Sequence, residues 1–264
     1  MGSEMCIRDR GTIAGSVMGT YIGMLGGTDP AAKVLFATHL LSASVMAVPG
    51  SIVLAKMLCP QTEEATDHVA ISGKEKENSN ILDAISSGTV TGVKLMTNIA
   101  AMLLVFISLV ALANYITEGV IGRYTGLNDW IVKITDGKAQ GLTFQFILGV
   151  ITSPFMWLIG VPSQDIMLVG SLLGQKTILN EFVAYFQLQQ WKDAGLFMYE
   201  KSILMSTYIL CGFANISSIG ILLGGLGVLA PEKRGLISRI GVPAMIGGAL
   251  VSVLSATIIG MILG

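Results

Sequence analysis

Three side-chain types that suit a polyhydroxylated ligand stand in the most apolar part of this chain. Glu181 is the only carboxylate in the run Ile166 to Tyr185, directly behind Asn180 and five residues after Lys176. A charge at bilayer depth costs about 2.5–3.5 kcal/mol on insertion scales, so it is kept there for a cavity, a partner or a ligand. Asn215 and Ser218 lie inside the apolar segment Ile203 to Ala230. Three apart, they share one face of a helix, whereas Phe213 lies on another unless the helix breaks near Gly212 or Asn215. Alone, such groups serve as interhelical hydrogen bonds worth about 0.6 kcal/mol on average. Joined to Glu181 they favour a ligand with several hydroxyls, because the carboxylate accepts while the amide both donates and accepts.

A third polar group is Thr12 and Ser16, four apart on one helical face. Oxygen ligands of this kind suit a hard cation such as sodium; hydroxyls bonding the carbonyl one turn back are the reading the residues alone favour. Lys176 is a counter-ion for Glu181 or a side chain that snorkels to the interface. His39 reads as a polar packing residue beside Ser42, and His68 is isolated. Glycines at 11, 15, 19, 23 and 27 form one stripe of a helix. Close approach of another backbone is its expected role, and exposing carbonyls to an ion is the narrower one.

The elements that position these groups follow from composition. The 264 residues are 52% hydrophobic and only 12% charged, with mean hydropathy +0.72. Globular chains carry about 25% charged residues, so this one lacks the charge to coat a soluble surface. An all-α integral membrane protein is expected. The net charge of −1 argues against a nucleic-acid partner. Cys6, Cys59 and Cys211 are too widely spaced to indicate a zinc site or disulfides. No metalloprotease helix, phosphate-binding loop or nucleophile elbow is present, so an enzyme has no residues to stand on.

A span needs about 20 apolar residues. Val34 to Met57, Ile99 to Ile116, Ile203 to Ala230 and Ile240 to Leu263 meet that length. Gly11 to Gly27 is slightly short, and Leu142 to Val161 is interrupted by Pro154, Gly160 and Pro162. Ile166 to Leu188 carries Gly170, Gly174, Lys176, Asn180 and Glu181, and is expected to be a re-entrant helical hairpin with Asn180 and Glu181 near its tip. Residues 1–10 read as a leader or an artefact joined to a truncated protein. Residues 11–58 give two helices, 59–96 a polar loop and an interfacial helix, 97–141 a further span and loop, and 142–264 the segment with the hairpin (about 162–190) and two last spans. Pro231 to Arg239 holds three basic residues against one acid, which places it on the cytoplasmic side. The tip is expected to approach Asn215 and Ser218, with a gap or polar cavity opposite them.

Gly174-Gln-Lys-Thr-Ile-Leu-Asn-Glu-Phe-Val-Ala-Tyr185 and Gly212-Phe-Ala-Asn-Ile-Ser-Ser-Ile-Gly220 resemble signature segments of concentrative nucleoside transporters. Thr12-Ile-Ala-Gly-Ser16, His39-Leu-Leu-Ser-Ala-Ser-Val-Met46 and Leu229-Ala-Pro231 are similar to that family too, in the same order. The resemblance implies a trimer in the cell (plasma or inner) membrane, each protomer with a scaffold and a transport domain that moves like an elevator. It implies that 11–58 belongs to the transport domain and 97–141 to the scaffold. Glu181, with Asn180 beside it, would bind ribose hydroxyls; Asn215, Ser218 and Phe213 would complete the nucleoside site. Ser16 and the carbonyl of Val17 would hold part of a sodium site, with Thr12 nearby; proton coupling stays open. The family also has earlier helices and a first hairpin with a Gln/Thr/Glu motif, which this sequence lacks. The rivals are a non-transporting membrane protein in which Glu181 and Asn215 merely pair, or a transporter of another polar solute.

Overall fold

The computed structural model describes residues 11–13, 15–58, 60, 80–135, 137, 139–219 and 234–264. Among these, every regular element is helical. The first, α1 (Gly15–Gly26), runs into α2 (Pro30–Leu58). The start of α2 is specified locally: Asp29 accepts from the amides of Ala31 (3.0 Å) and Ala32 (3.3 Å), and Pro30 at the first position gives up no helical hydrogen bond. Helix α3 (Ile81–Asn114) leads through a π-helical stretch, Tyr115–Gly122, to the short α4 (Leu127–Ile134). Then come α5 (Phe144–Leu158), α6 (Ile166–Ile178), α7 (Glu181–Asp193), α8 (Glu200–Leu210) and α9 (Arg234–Ile262).

Residues 61–111 form a unit of their own, separate from residues 1–60 and 112–264. Within that unit the stretch expected to be an interfacial helix, Ile81 to Lys94, continues without interruption into the following apolar residues. The boundary expected at 96/97 therefore falls inside a 34-residue helix. No Gly-Pro pair or cap stands there to end it.

In the larger unit, α2 and α9 are each 29 residues, and α2 and the Ser238–Ile262 part of α9 are long and apolar enough to cross a bilayer. They meet along small residues. Ala43, Ala47, Ser51 and Ala55 recur every fourth position of α2 and are buried, and Ala47 and Ala55 share a cluster with Ala244 and Val251 of α9. This seam, rather than the glycine stripe, supplies the expected close packing. Added Cβ atoms at Gly15, Gly19 and Gly23 would meet nothing within 4 Å. Gly27 likewise meets nothing, so among the described residues the stripe packs only at Gly11, against Val251.

Helices α5 and α6 approach so closely that Gly170 and Gly174 have no room for a Cβ, which would lie 2.7 Å from Thr152 Oγ1 and 2.5 Å from Leu148 Cβ respectively. These glycines, expected as interruptions, are packing surfaces. Two apolar clusters fix the remaining helices. One joins α2, α5, α6, α8 and α9 through Ala43, Met156, Val169, Met205 and Ala256; the other joins α1, α2, α6, α7 and α8 through Tyr21, Leu40, Leu172, Tyr185 and Leu210.

Candidate functional site

Two helix interruptions face each other. Helix α6 ends at Ile178 and α7 begins at Glu181, with α6 packed against α7. Asn180 is extended and its Oδ1 accepts from Val183 N at 2.9 Å. Its role is a helix cap, which leaves Glu181 as the first residue of α7, where a carboxylate also meets the positive end of the helix dipole. The second interruption follows Leu210. Gly212, at φ +150, takes a backbone conformation that side chains rarely allow, and residues 216–219 are helical again. Asn215 starts that new helix: its Oδ1 accepts from Ser218 N (2.6 Å) and Ser217 Oγ (2.7 Å).

Because a backbone N–H only donates, Ser218 N fixes which end of the Asn215 amide it faces. The NH2 group must then point the other way, and it donates to Glu181 Oε2 at 2.7 Å. Ser217 Oγ also lies 3.3 Å from Leu179 O at the opposite tip. The tip and the break are thus in direct hydrogen-bonded contact. The gap or polar cavity expected opposite these side chains is absent among the described residues: Asn215 is 0% and Glu181 7% exposed. A cavity of about 1000 Å³ lies elsewhere, lined by Asn114, Gln145, Gln187 and Trp191 among others.

A helix that stops inside a protein leaves its last carbonyls without partners. Around the end of α8, neighbouring side chains supply the donors. Tyr185 Oη donates to Thr207 O at 2.8 Å. Lys176 Nζ donates to Ile209 O at 2.7 Å and to Ser252 Oγ at 3.0 Å, and Ser252 Oγ donates to Cys211 O at 2.8 Å. Lys176 is 0% exposed, so it does not snorkel; its hydrogen bonds go to Ile209 and Ser252, while its charge and that of Glu181 attract through space. It serves the negative end of α8, where a partly buried cation contributes up to about 2 kcal/mol.

The remaining expected residues are placed unevenly. Ser218 is buried, and its Oγ donates to Asn215 O at 2.6 Å. Phe213 is half-buried in the break itself, off any helical face. Thr12 lies in a bend before α1, and Val17 packs beside the Tyr21–Tyr185 cluster. The Ser16 side chain and His68 lie outside what is described. Tyr21 stacks on Tyr185 with centroids 4.0 Å apart, which brings the helix carrying Ser16 and Val17 beside the one carrying Glu181. The Tyr21 hydroxyl is buried with no hydrogen-bond partner among the described residues. His39 Nδ1 lies 3.1 Å from Tyr208 Oη, as a polar packing residue would.

The profile described as "Na+ dependent nucleoside transporter C-terminus" matches residues 39–260. The chain belongs to this family. An uncharacterized transporter of Haemophilus influenzae is 39% identical over 256 residues, spanning 96% of this chain and 56% of that protein. Nucleoside permease NupC of Helicobacter pylori is 35% identical, over 98% of this chain and 57% of its own. Sodium/nucleoside cotransporter 1 of Rattus norvegicus is 37% identical, over 95% of this chain and 38% of its own. The solved structure of CNTnw in an inward-facing substrate-bound state superposes with TM-score 0.76 at 34% identity, over 98% of this chain and 56% of that one. The chain therefore corresponds to the C-terminal portion of a concentrative nucleoside transporter, and spans little more than half of these bacterial relatives. The family is one of membrane transporters, not enzymes.

Within this family member, sequence reasoning missed Ser217, Ser252, Tyr185 and Asp165. Ser217 had a signal only as one more polar residue in the apolar segment that carries Asn215 and Ser218. The others act from a distance on another helix, and no local spacing marks them.

Proposed function

We propose that this chain forms much of the nucleoside-binding body of a cation-coupled symporter. The observation that carries the reading is the 2.7 Å bond between Asn215 Nδ2 and Glu181 Oε2, made between two helix interruptions. With Asn215 Oδ1 committed to Ser217 and Ser218, the amide offers a donor and Glu181 offers acceptors. A ribose diol complements that pair: one hydroxyl donates to the carboxylate while accepting from the amide. Ser218, Phe213 and Asn180 border the same place. The names of the rat and Helicobacter relatives, and the substrate-bound state of CNTnw, support a nucleoside as the solute.

Thr12, just ahead of α1, with Ser16 and the Val17 carbonyl on α1, supplies part of the cation site, and α1 reaches the hairpin through Tyr21 and Tyr185. Sodium is the ion we propose, with the name of the rat relative as support. Ion and nucleoside then bind more tightly together, because the ion orders the backbone that the nucleoside needs. The helix pair α6–α7 serves as a re-entrant hairpin in a multi-pass protein of the plasma or inner membrane, in a homotrimer with elevator-type motion. The same bond also favours a second reading, a purely structural Glu181–Asn215 pair. Uptake of labelled uridine and adenosine by the full-length protein in proteoliposomes decides. Accumulation driven by a sodium gradient is expected. Accumulation driven by a proton gradient alone reassigns the ion, and no accumulation of either nucleoside under any gradient defeats the reading.

A further inference from the structure

The hairpin stem α6 and the broken helix α8 are held together at both ends by buried opposite charges. At one end Asp165, 0% exposed, accepts from the amides of Met198 (3.1 Å to Oδ1) and Tyr199 (3.2 Å to Oδ2), just ahead of α8. At the other end Lys176, also 0% exposed, donates to the carbonyl of Ile209 in the last turn of α8. Both contacts join residues 33 apart in sequence, Asp165 to Met198 and Lys176 to Ile209. Equal separations at both ends mean that the two helices run parallel and in matched register.

Parallel alignment gives each charge two helix ends to serve. Asp165 stands at the positive ends of α6 and α8 together, and Lys176 at the negative ends of both. Sliding α8 by one turn against α6 would take the Met198 and Tyr199 amides from Asp165 and the Ile209 carbonyl from Lys176, and for buried charges such losses are far more costly than losing an exposed ion pair. Lys176 is followed closely by the tip, and Ile209 closely by the break. The register of the two helices therefore sets where Glu181 meets Asn215.

We propose that Asp165 and Lys176 are positioning residues, a two-ended clamp that fixes the α6–α8 register and through it the geometry of the Glu181–Asn215 pair. The consequence for ribose recognition rests on the nucleoside reading above; the clamp itself does not. Asp165→Asn is the decisive variant. It is nearly isosteric, and α6 is 13 residues or about 20 Å long, so its effect at the tip cannot be direct contact. Lys176→Met is the stronger variant, and Lys176→Arg retains a charge and donors.

Two readouts on the full-length transporter test it: hydrogen exchange of residues 179–183 and 211–218, and the affinity ratio of uridine to 2′,3′-dideoxyuridine. Asp165→Asn and Lys176→Met should speed exchange in both segments together, and Lys176→Arg should restore part of the protection. The affinity ratio should fall by about ten-fold or more, the size of one lost charge-assisted bond. Glu181→Gln serves as the reference. If it leaves the ratio unchanged, the ribose reading fails while the exchange data still judge the clamp. Faster exchange near residues 198–199 alone, with the tip and break as protected as before, overturns the clamp. So does an unaltered ratio in Asp165→Asn where Glu181→Gln changes it.

Discussion

Three prolines sit inside helices that do not break, and two breaks occur where there is no proline. Pro49, Pro154 and Pro243 lie within α2, α5 and α9, each of which continues past them. The interruptions at Leu179–Asn180 and Cys211–Asn215 contain only apolar, amide and small residues. A proline removes one hydrogen bond and crowds the carbonyl four residues back. In α5 only the Val150 carbonyl loses its helical donor at Pro154; the neighbouring hydroxyls turn inward onto carbonyls already in the ladder, Ser153 Oγ donating to Gly149 O (2.6 Å) and Thr152 Oγ1 to Leu148 O (2.8 Å). A true break leaves several carbonyls and amides unpaired, and it persists here because Lys176, Tyr185, Ser252 and Asn215 bond them from other segments. Helix continuity is therefore decided by where donors are available rather than by which residue is the poorest helix former.

Asn215→Ala strikes that difference hardest. It removes the cap of the new helix, worth about 1 kcal/mol, and leaves the nearly buried Glu181 carboxylate without its amide donor, which costs a further 1–3 kcal/mol or so. A stability loss of about 3 kcal/mol is expected, read as a lower thermal midpoint of the full-length protein without ligand. A loss below about 1 kcal/mol would mean that the break is held by backbone strain and not by its polar partners.

Glu181→Gln is the next largest and separates ligand from structure. The change keeps the size and one carbonyl acceptor but removes the charge. If ribose hydroxyls bond the carboxylate, about 1.5–3 kcal/mol of binding is lost, a ten- to hundred-fold drop in nucleoside affinity. Dideoxynucleosides should be far less affected, and thermal stability should fall little, since a glutamine carbonyl still accepts from Asn215. Equal losses for both ligand types would assign Glu181 to holding the two breaks together.

The contrast also explains what could be read in advance. Glu181, Asn215 and Ser218 stood out because polar groups in apolar runs are costly wherever they lie, and the interruption at Asn180–Glu181 followed from glycines and polar residues set in a run of span length. The break near Gly212 was legible as an alternative only, because glycine permits a positive φ without requiring one. Pro154 was overread as an interruption, since a proline removes one helical hydrogen bond and the packing that carries the helix past it lies on another element. The glycine stripe was overread in the same way: it states that something could approach, not that a described neighbour does. For Lys176 the sequence offered Glu181 as a counter-ion but not its hydrogen-bond partners, Ile209 and Ser252, which are 33 and 76 residues away. Sequence shows the cost of a buried charge; only the fold shows which orphan carbonyl absorbs it.

Pro154→Ala should have the smallest effect and thereby mark the other side of the comparison. An interior proline disfavours a helix by about 3 kcal/mol relative to alanine, but that scale is for isolated helices, and here the packing of α5 against α6 carries part of the cost. Pro154 is exposed, so little packing is lost with its ring. Restoring the N–H lets residue 154 bond the Val150 carbonyl, and stability is expected to rise by about 1 kcal/mol, with nucleoside affinity changed less than about two-fold. Thermal unfolding together with a uridine binding isotherm checks both. A fall in stability would show that the proline shapes α5 against Gly170 and Gly174, so that continuity in this helix, like the breaks beside it, depends on contacts made from another segment.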